Sequence, residues 1–127
     1  MNFMTRFAPQ THALLRIVAG LLFLEHGTVK LLHFPVGMPM PTGPEGTLML
    51  VAGIIELVAG ALITVGFFSR IAAFVGSGEM AFAYFLGHFA GGGFWPAVNH
   101  GGEAILFCFV FLWLSAAGPG PWAVNQK

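Results

Sequence analysis

Four stretches of the chain, 12–32, 47–68, 71–90 and 100–117, are apolar over most of their length, and each is closed off by residues that a helix tolerates badly. Each comes close to the ~20 residues with which a helix, rising ~1.5 Å per residue, crosses ~30 Å of hydrocarbon. The first break, His33 to Gly46, contains Pro35, Pro39, Pro41 and Pro44. Proline removes a backbone donor and clashes with the preceding turn, so this stretch reads as a loop. Ser69-Arg70 reads as a tight turn that folds the second and third runs into an antiparallel hairpin. Gly91 to Val98 is a glycine-rich, aromatic loop, after which Asn99 or His100 opens the fourth helix, and Gly118-Pro119-Gly120-Pro121 stops it. Residues 1–11 form a short amphipathic lead with Thr11 as the N-cap of the first long helix. The predicted fold class is all-α: one domain over 1–127, an integral membrane bundle of four antiparallel transmembrane helices.

Composition supports that reading. Of the 127 residues 57% are hydrophobic and 8% charged, with a mean hydropathy of +0.83, against ~25% charged residues in ordinary soluble domains. Five Lys and Arg balance five acidic residues, all of them Glu. There is no basic face for nucleic acid and no run of basic residues along the chain for anionic lipid. The single cysteine, Cys108, has no second thiol to pair with and reads as a small buried hydrophobe. The first apolar run resembles a signal peptide in position, but Arg16, Glu25, His26 and Lys30 interrupt it and no small-x-small cleavage site follows, so it is read as a retained helix. Four spans place Arg6, Arg16, Arg70 and Lys127 on one side and Lys30 alone on the other. The positive-inside rule then makes the four-charge side, and with it both termini, cytoplasmic. Trp95 and Trp122 suit the interfacial aromatic belts.

The chemistry-bearing candidates are the ionisable groups inside those runs. A carboxylate at the centre of a membrane helix costs ~2.5–3.5 kcal/mol on insertion scales, so it faces a polar interior or a partner. Glu56 and Glu79 lie deepest, near mid-membrane, and Glu56 stands on the helical face of Ala52, Gly53, Ala59 and Gly60, small residues that let another helix come close. His100 and Glu103 share a face with Phe107, Val110 and Leu114 at the start of the fourth helix, and His26 aligns with Lys30 while Glu25 falls on another face. Glu79 and His88 are nine residues apart, on opposite sides of a straight helix, so one of them turns away from any shared cavity. Lys30 and Arg16 read as snorkelling side chains. The order His100-x-x-Glu103 is the reverse of the Glu-x-x-His of carboxylate-bridged di-metal bundles, and the histidines carry no haem-attachment motif, so no metal ligands are assigned. Gly91-Gly92-Gly93 lacks the lysine and the strand-to-helix context of a phosphate loop.

The chain resembles the DoxX family of small four-helix bacterial membrane proteins. The likeness lies in Leu15-Arg16-Ile17-Val18-Ala19-Gly20 through Glu25-His26-Gly27 with Lys30-Leu31, and in Gly53-Ile54-Ile55-Glu56-Leu57-Val58-Ala59-Gly60 leading to Gly66-Phe67-Phe68-Ser69-Arg70. It continues in Gly78-Glu79-Met80-Ala81-Phe82-Ala83-Tyr84-Phe85 with His88, and in Asn99-His100-Gly101-Gly102-Glu103 ending at Gly118-Pro119-Gly120-Pro121-Trp122. Many members end Gly-Pro-Gly-x-x-x-Asp, whereas this chain reads Pro121-Trp122-Ala123-Val124-Asn125 with no acid. The resemblance implies a four-helix protein of the bacterial inner membrane tied to redox pathways, since the family includes subunits of thiosulfate:quinone oxidoreductase and members linked to oxidative or thiol stress.

Together these give the expected function: a subunit or accessory of a quinone-linked oxidoreductase system with an outward-facing Glu/His cluster. Glu56, Glu103, Glu25, His100 and His26 are the expected proton-exchanging residues, and His26, His100, Phe107 and Phe23 the expected quinone contacts. No motif for flavin, nicotinamide or iron–sulfur cluster is present, so electrons come from a redox partner protein. The expected surroundings are the lipid bilayer, that partner, and further copies of the chain. The alternatives are a bundle that transports a small molecule or scaffolds other subunits through Gly20, Ala59, Ala72 and Gly76, and one whose Glu and His only hold helices together.

Overall fold

The computed structural model describes residues 2–127, and they fold entirely as helices and connections with no strand among them. After a single turn, α1 (Asn2–Thr5), comes α2 (Ala8–Leu32), followed by α3 (Pro44–Val65) and α4 (Ser69–Ala83). The last continues through a π-helical segment, Tyr84–Phe89, into α5 (Ala90–Gly92). A short α6 (Pro96–Asn99) precedes α7 (Gly102–Ala117), and an irregular tail follows.

Several boundaries differ from the sequence expectation for local reasons. Helix α2 starts before Thr11, with Phe7 at the N-cap and Pro9 in the first turn, where a missing N–H costs nothing. The Thr11 hydroxyl instead donates back to the Phe7 and Ala8 carbonyls. Pro44 likewise begins α3 rather than extending the loop. Ser69 and Arg70 open α4, and the turn lies earlier, at Gly66–Phe68, where Gly66 has the left-handed φ of 72° that ends α3. The fourth helix opens at Gly102, because Asn99 and His100 belong to the end of α6.

Helices α2 and α3 form the closest seam, with sequence number rising along one as it falls along the other. A Cβ on Gly27 would strike the backbone of Gly53 and Leu57, and one on Gly60 the backbone of Leu24. The other main seam joins α4 to α7, where Ser77 donates to the Cys108 carbonyl at 2.7 Å and Gly76 lies against the rings of Phe23 and Phe111. Phe23, Ile63, Phe111 and Leu114 fill the centre. Gly20, Ala59, Ala72 and Gly76, the small residues assigned above to a partner surface, are spent in these internal seams.

The exterior is the apolar part. Val18, Leu21, Ile54, Val58, Ile71, Phe74, Leu106 and Phe109 all face outward, while Arg16 and Glu56 are buried. That inversion of the soluble pattern fits a lipid surround. Among the described residues α3 is the one helix both long and apolar enough to cross a membrane, and α7 is apolar but shorter.

Candidate functional site

Two sets of polar side chains lie inside the helices, one toward each end. At the end bearing the α3–α4 turn, the tail folds back beneath the bundle. Arg16, with no exposed surface, donates through Nη1 to the carbonyls of Pro119 and Pro121 and through Nη2 to Trp122 at 2.9 Å. Arg70 donates to the carbonyls of Ala116 at 2.7 Å and Gln126 at 3.2 Å, and His12 Nε2 meets the Gly118 carbonyl at 2.7 Å. Backbone pairs from Val124 to Val65 and from Asn125 to Gly66 complete the strap. Arg16 therefore does not snorkel. Its charge is taken up by carbonyls that the Gly-Pro-Gly-Pro segment, unable to form a helix, leaves free.

Toward the other end the partners are acids. Lys30 Nζ lies 2.7 Å from Glu56 Oε1, joining α2 to α3, and the two side chains expose only 13% and 2% of their surface. Lys30 thus turns inward instead of snorkelling. Glu79 of α4 reaches the same place, with the Glu56 carboxyl and the Lys30 ammonium as its polar neighbours. Its Oε1 is shielded from solvent and meets no donor. Two acids and one ammonium, carried by three different helices, are thus drawn together at one place inside the bundle. One turn from Lys30 along α2, His26 Nε2 lies 2.6 Å from Glu103 Oε1 of α7, a more open pair with 41% and 65% of the side chains exposed. His26 also meets the edge of the Phe107 ring.

The sequence-predicted residues divide accordingly. Glu56 is in the buried group, and His26 and Glu103 form the outer pair. Glu25 is exposed, bordering a shallow crevice with Leu21, Leu24, Thr28 and Phe34 away from that group. His100 is also exposed, held in the left-handed region at φ 61° where α6 ends, and its ring meets no partner among the described residues. Phe23 and Phe107 are core residues, packed on each other at 5.6 Å between centroids, with Phe23 edge-on to Phe111 at 4.7 Å.

Two participants were not assigned from sequence, Lys30 and Glu79. For Glu79 a signal exists: Ala72, Val75 and Glu79 fall at i, i+3 and i+7, one face of α4. Of the pair expected to diverge, it is His88 that turns aside. Carried by the π segment, its Nδ1 contacts the Asn99 carbonyl at 3.0 Å. Asn99 is the organiser of that corner. Its amide donates to Gly93 O at 2.8 Å and to the Tyr84 hydroxyl at 3.1 Å, and its Oδ1 accepts from Gly101 N at 2.8 Å. The glycine-rich loop is therefore pinned rather than free. Among the described residues no group of three or more His, Cys, Asp or Glu is placed to hold a metal ion.

Comparison with known proteins places this architecture. A family model described as DoxX matches residues 11–89, the part of the chain holding α2 to α4 with Lys30, Glu56 and Glu79. A protein of Haemophilus influenzae, itself described as uncharacterized, is 43% identical over 130 residues, covering 100% of this chain and 97% of its own length. No solved structure matches.

Proposed function

The chain belongs to the DoxX family, and on that premise we propose that it is a multi-pass bacterial inner-membrane protein, four antiparallel spans with cytoplasmic termini, that handles protons for a quinone-linked oxidoreductase system. Membership and the apolar exterior support the membrane part. The observation that carries the proton part is the buried group of Lys30, Glu56 and Glu79, in which one carboxyl is ion-paired and the second has an oxygen without a donor. Paired acids inside a membrane bundle are the groups from which proton relays are built. His26 and Glu103, one turn away along α2, are the exchange point with water.

The residues expected to hold a quinone ring do not fit one. His26 Nε2 is engaged by Glu103, His100 stands apart, and Phe23 and Phe107 fill the core against each other. No step is routed through a quinone bound within this chain. Electrons and quinone belong to the partner system, and the chain's own residues hold and release a proton between Glu56 and Glu79.

The test is proton uptake by the reconstituted protein with its oxidoreductase partner, followed with an entrapped pH dye. Glu79→Gln, which keeps the shape and removes the proton site, is expected to slow quinone-linked turnover and proton uptake together by at least about tenfold, within the range for loss of an acid–base group. Unchanged proton uptake and turnover in a folded Glu79→Gln protein would leave the second reading, in which the 2.7 Å Lys30–Glu56 contact serves to lock α2 to α3.

A further inference from the structure

The seam between α3 and α4 is not closed along its length. An open groove of about 440 Å³ follows it, walled by Ile54, Val58, Leu62, Ile71 and Val75 and reaching Phe68 at the turn. Its walls are almost wholly apolar, and Val58, Ile71 and Val75 open it toward the bundle exterior. From Ile54 to the end of α3 at Val65 is roughly 16 Å at ~1.5 Å per residue. That matches the ~15 Å depth of one leaflet of a ~30 Å hydrocarbon core. The groove thus starts where α3 ends and stops near the middle of that helix.

Charge is distributed along the same axis. Arg6, Arg16, Arg70 and Lys127 gather toward the turn and tail, while all five glutamates lie from the middle of α3 toward the opposite end. No basic run exists in the sequence; the strap brings Lys127 back to the turn, where its Nζ lies 5.4 Å from the centroid of the Phe68 ring that ends the groove. Among the described residues Lys127 Nζ makes no ion pair. The nearby Arg70 uses Nε and Nη1 on backbone carbonyls, while its Nη2, beside Gly118, has no acceptor among the described residues.

We propose that this groove binds one acyl chain of an anionic phospholipid from the leaflet at the tail end, with the phosphate held by Lys127 and Arg70 Nη2. A chain entering at Phe68 runs inward along Ile71, Leu62, Val58 and Ile54, and the cation at the mouth selects the headgroup. The seam faces lipid on the same membrane reading as above, but the site does not depend on proton handling.

The experiment places the purified protein in nanodiscs of phosphatidylcholine with a minority of phosphatidylglycerol, and counts retained lipid by native mass spectrometry. Retention of protein in carbonate-washed membranes scores the membrane reading separately. Phosphatidylglycerol should be retained in preference to phosphatidylcholine. Lys127→Gln should reduce that preference about fivefold, the effect of one basic residue at a membrane surface. Val58→Trp, which fills the groove from its open side, should reduce retention of both lipids, with its melting temperature confirming an intact fold. Equal retention of the two lipids, an unchanged count in Val58→Trp, or a groove occupied by a second copy, seen as a dimer lost in Val58→Trp, would each overturn the proposal.

Discussion

The two ends of the bundle solve the same problem with different chemistry. At the tail end the buried cation Arg16 is met by neutral backbone carbonyls of residues 119–122, groups that neither gain nor lose a proton under physiological conditions. Toward the other end the Lys30 ammonium and the His26 ring are met by Glu56 and Glu103, whose oxygens can. A cation caged in carbonyls can only hold structure together, whereas one placed among carboxyls can take part in acid–base exchange. The contrast separates a fastening from a candidate working site within one small chain.

The contrast can be broken most severely at Arg16. Replacing it with Met leaves three carbonyl groups without their donor and unfastens the tail, an expected loss of about 3–5 kcal/mol, the range for breaking a buried charged contact. The check is thermal unfolding in mild detergent, and a loss below about 1 kcal/mol would mean that the strap is decoration. Next comes Glu56→Gln, expected to cost about 1.5–3 kcal/mol, the range for a hydrogen bond to a charged group, because it removes the ion-pair partner of Lys30 and leaves Glu79 as the remaining acid beside the ammonium. The informative comparison is Glu56→Gln combined with Lys30→Met: with no charge left behind, the double variant should regain most of the stability while proton handling stays lost. Recovery of both would assign the pair to packing.

Smaller effects sharpen the same distinction. Asn99→Ala removes a side chain that ties Gly93, Tyr84 and Gly101 together and should cost about 1–3 kcal/mol. Proteolysis or hydrogen exchange confined to the 91–101 loop is the matching readout. Glu25→Gln and His100→Ala should change stability by less than about 0.5 kcal/mol, as exposed side chains with no partners usually do, and should leave proton uptake unaltered. A large effect on uptake from either would redraw the site outward.

What the sequence made legible was local. Hydrophobic runs marked the four long helices, and the small residues around Glu56 marked the α2–α3 seam in which Gly27 and Gly60 admit the neighbouring backbone. The interior position of Glu56 followed from depth and face together. What stayed illegible depends on contacts far apart in the chain. Arg16 and its acceptor on Pro119 are 103 residues apart, and no periodicity within a helix reports such a pairing. Lys30 was misread for a related reason: a lysine near a helix end snorkels unless a partner on another helix draws it in, and Glu56 is 26 positions away. The angle count separated Glu79 from His88 but did not say which of them joins the inner group; the π-helical stretch from Tyr84 to Phe89 carries His88 to Asn99. His100 shares a face with Glu103 only if both stand on one helix, and that helix opens at Gly102; Glu25, on another face of α2 than His26, is exposed.

The tail strap also has a consequence for biogenesis. Ribosomes add ~5–20 residues each second, so about 5–20 s separate the synthesis of Arg16 from that of the carbonyls that receive it. During that interval the first long helix carries an uncompensated guanidinium, and the newborn chain depends on insertion machinery or a lipid headgroup to shelter it. The carbonyls of Pro119, Pro121 and Trp122 are then what releases the first long helix from that dependence, so quality-control proteases have a molecular criterion for a folded chain: whether Arg16 has been handed over.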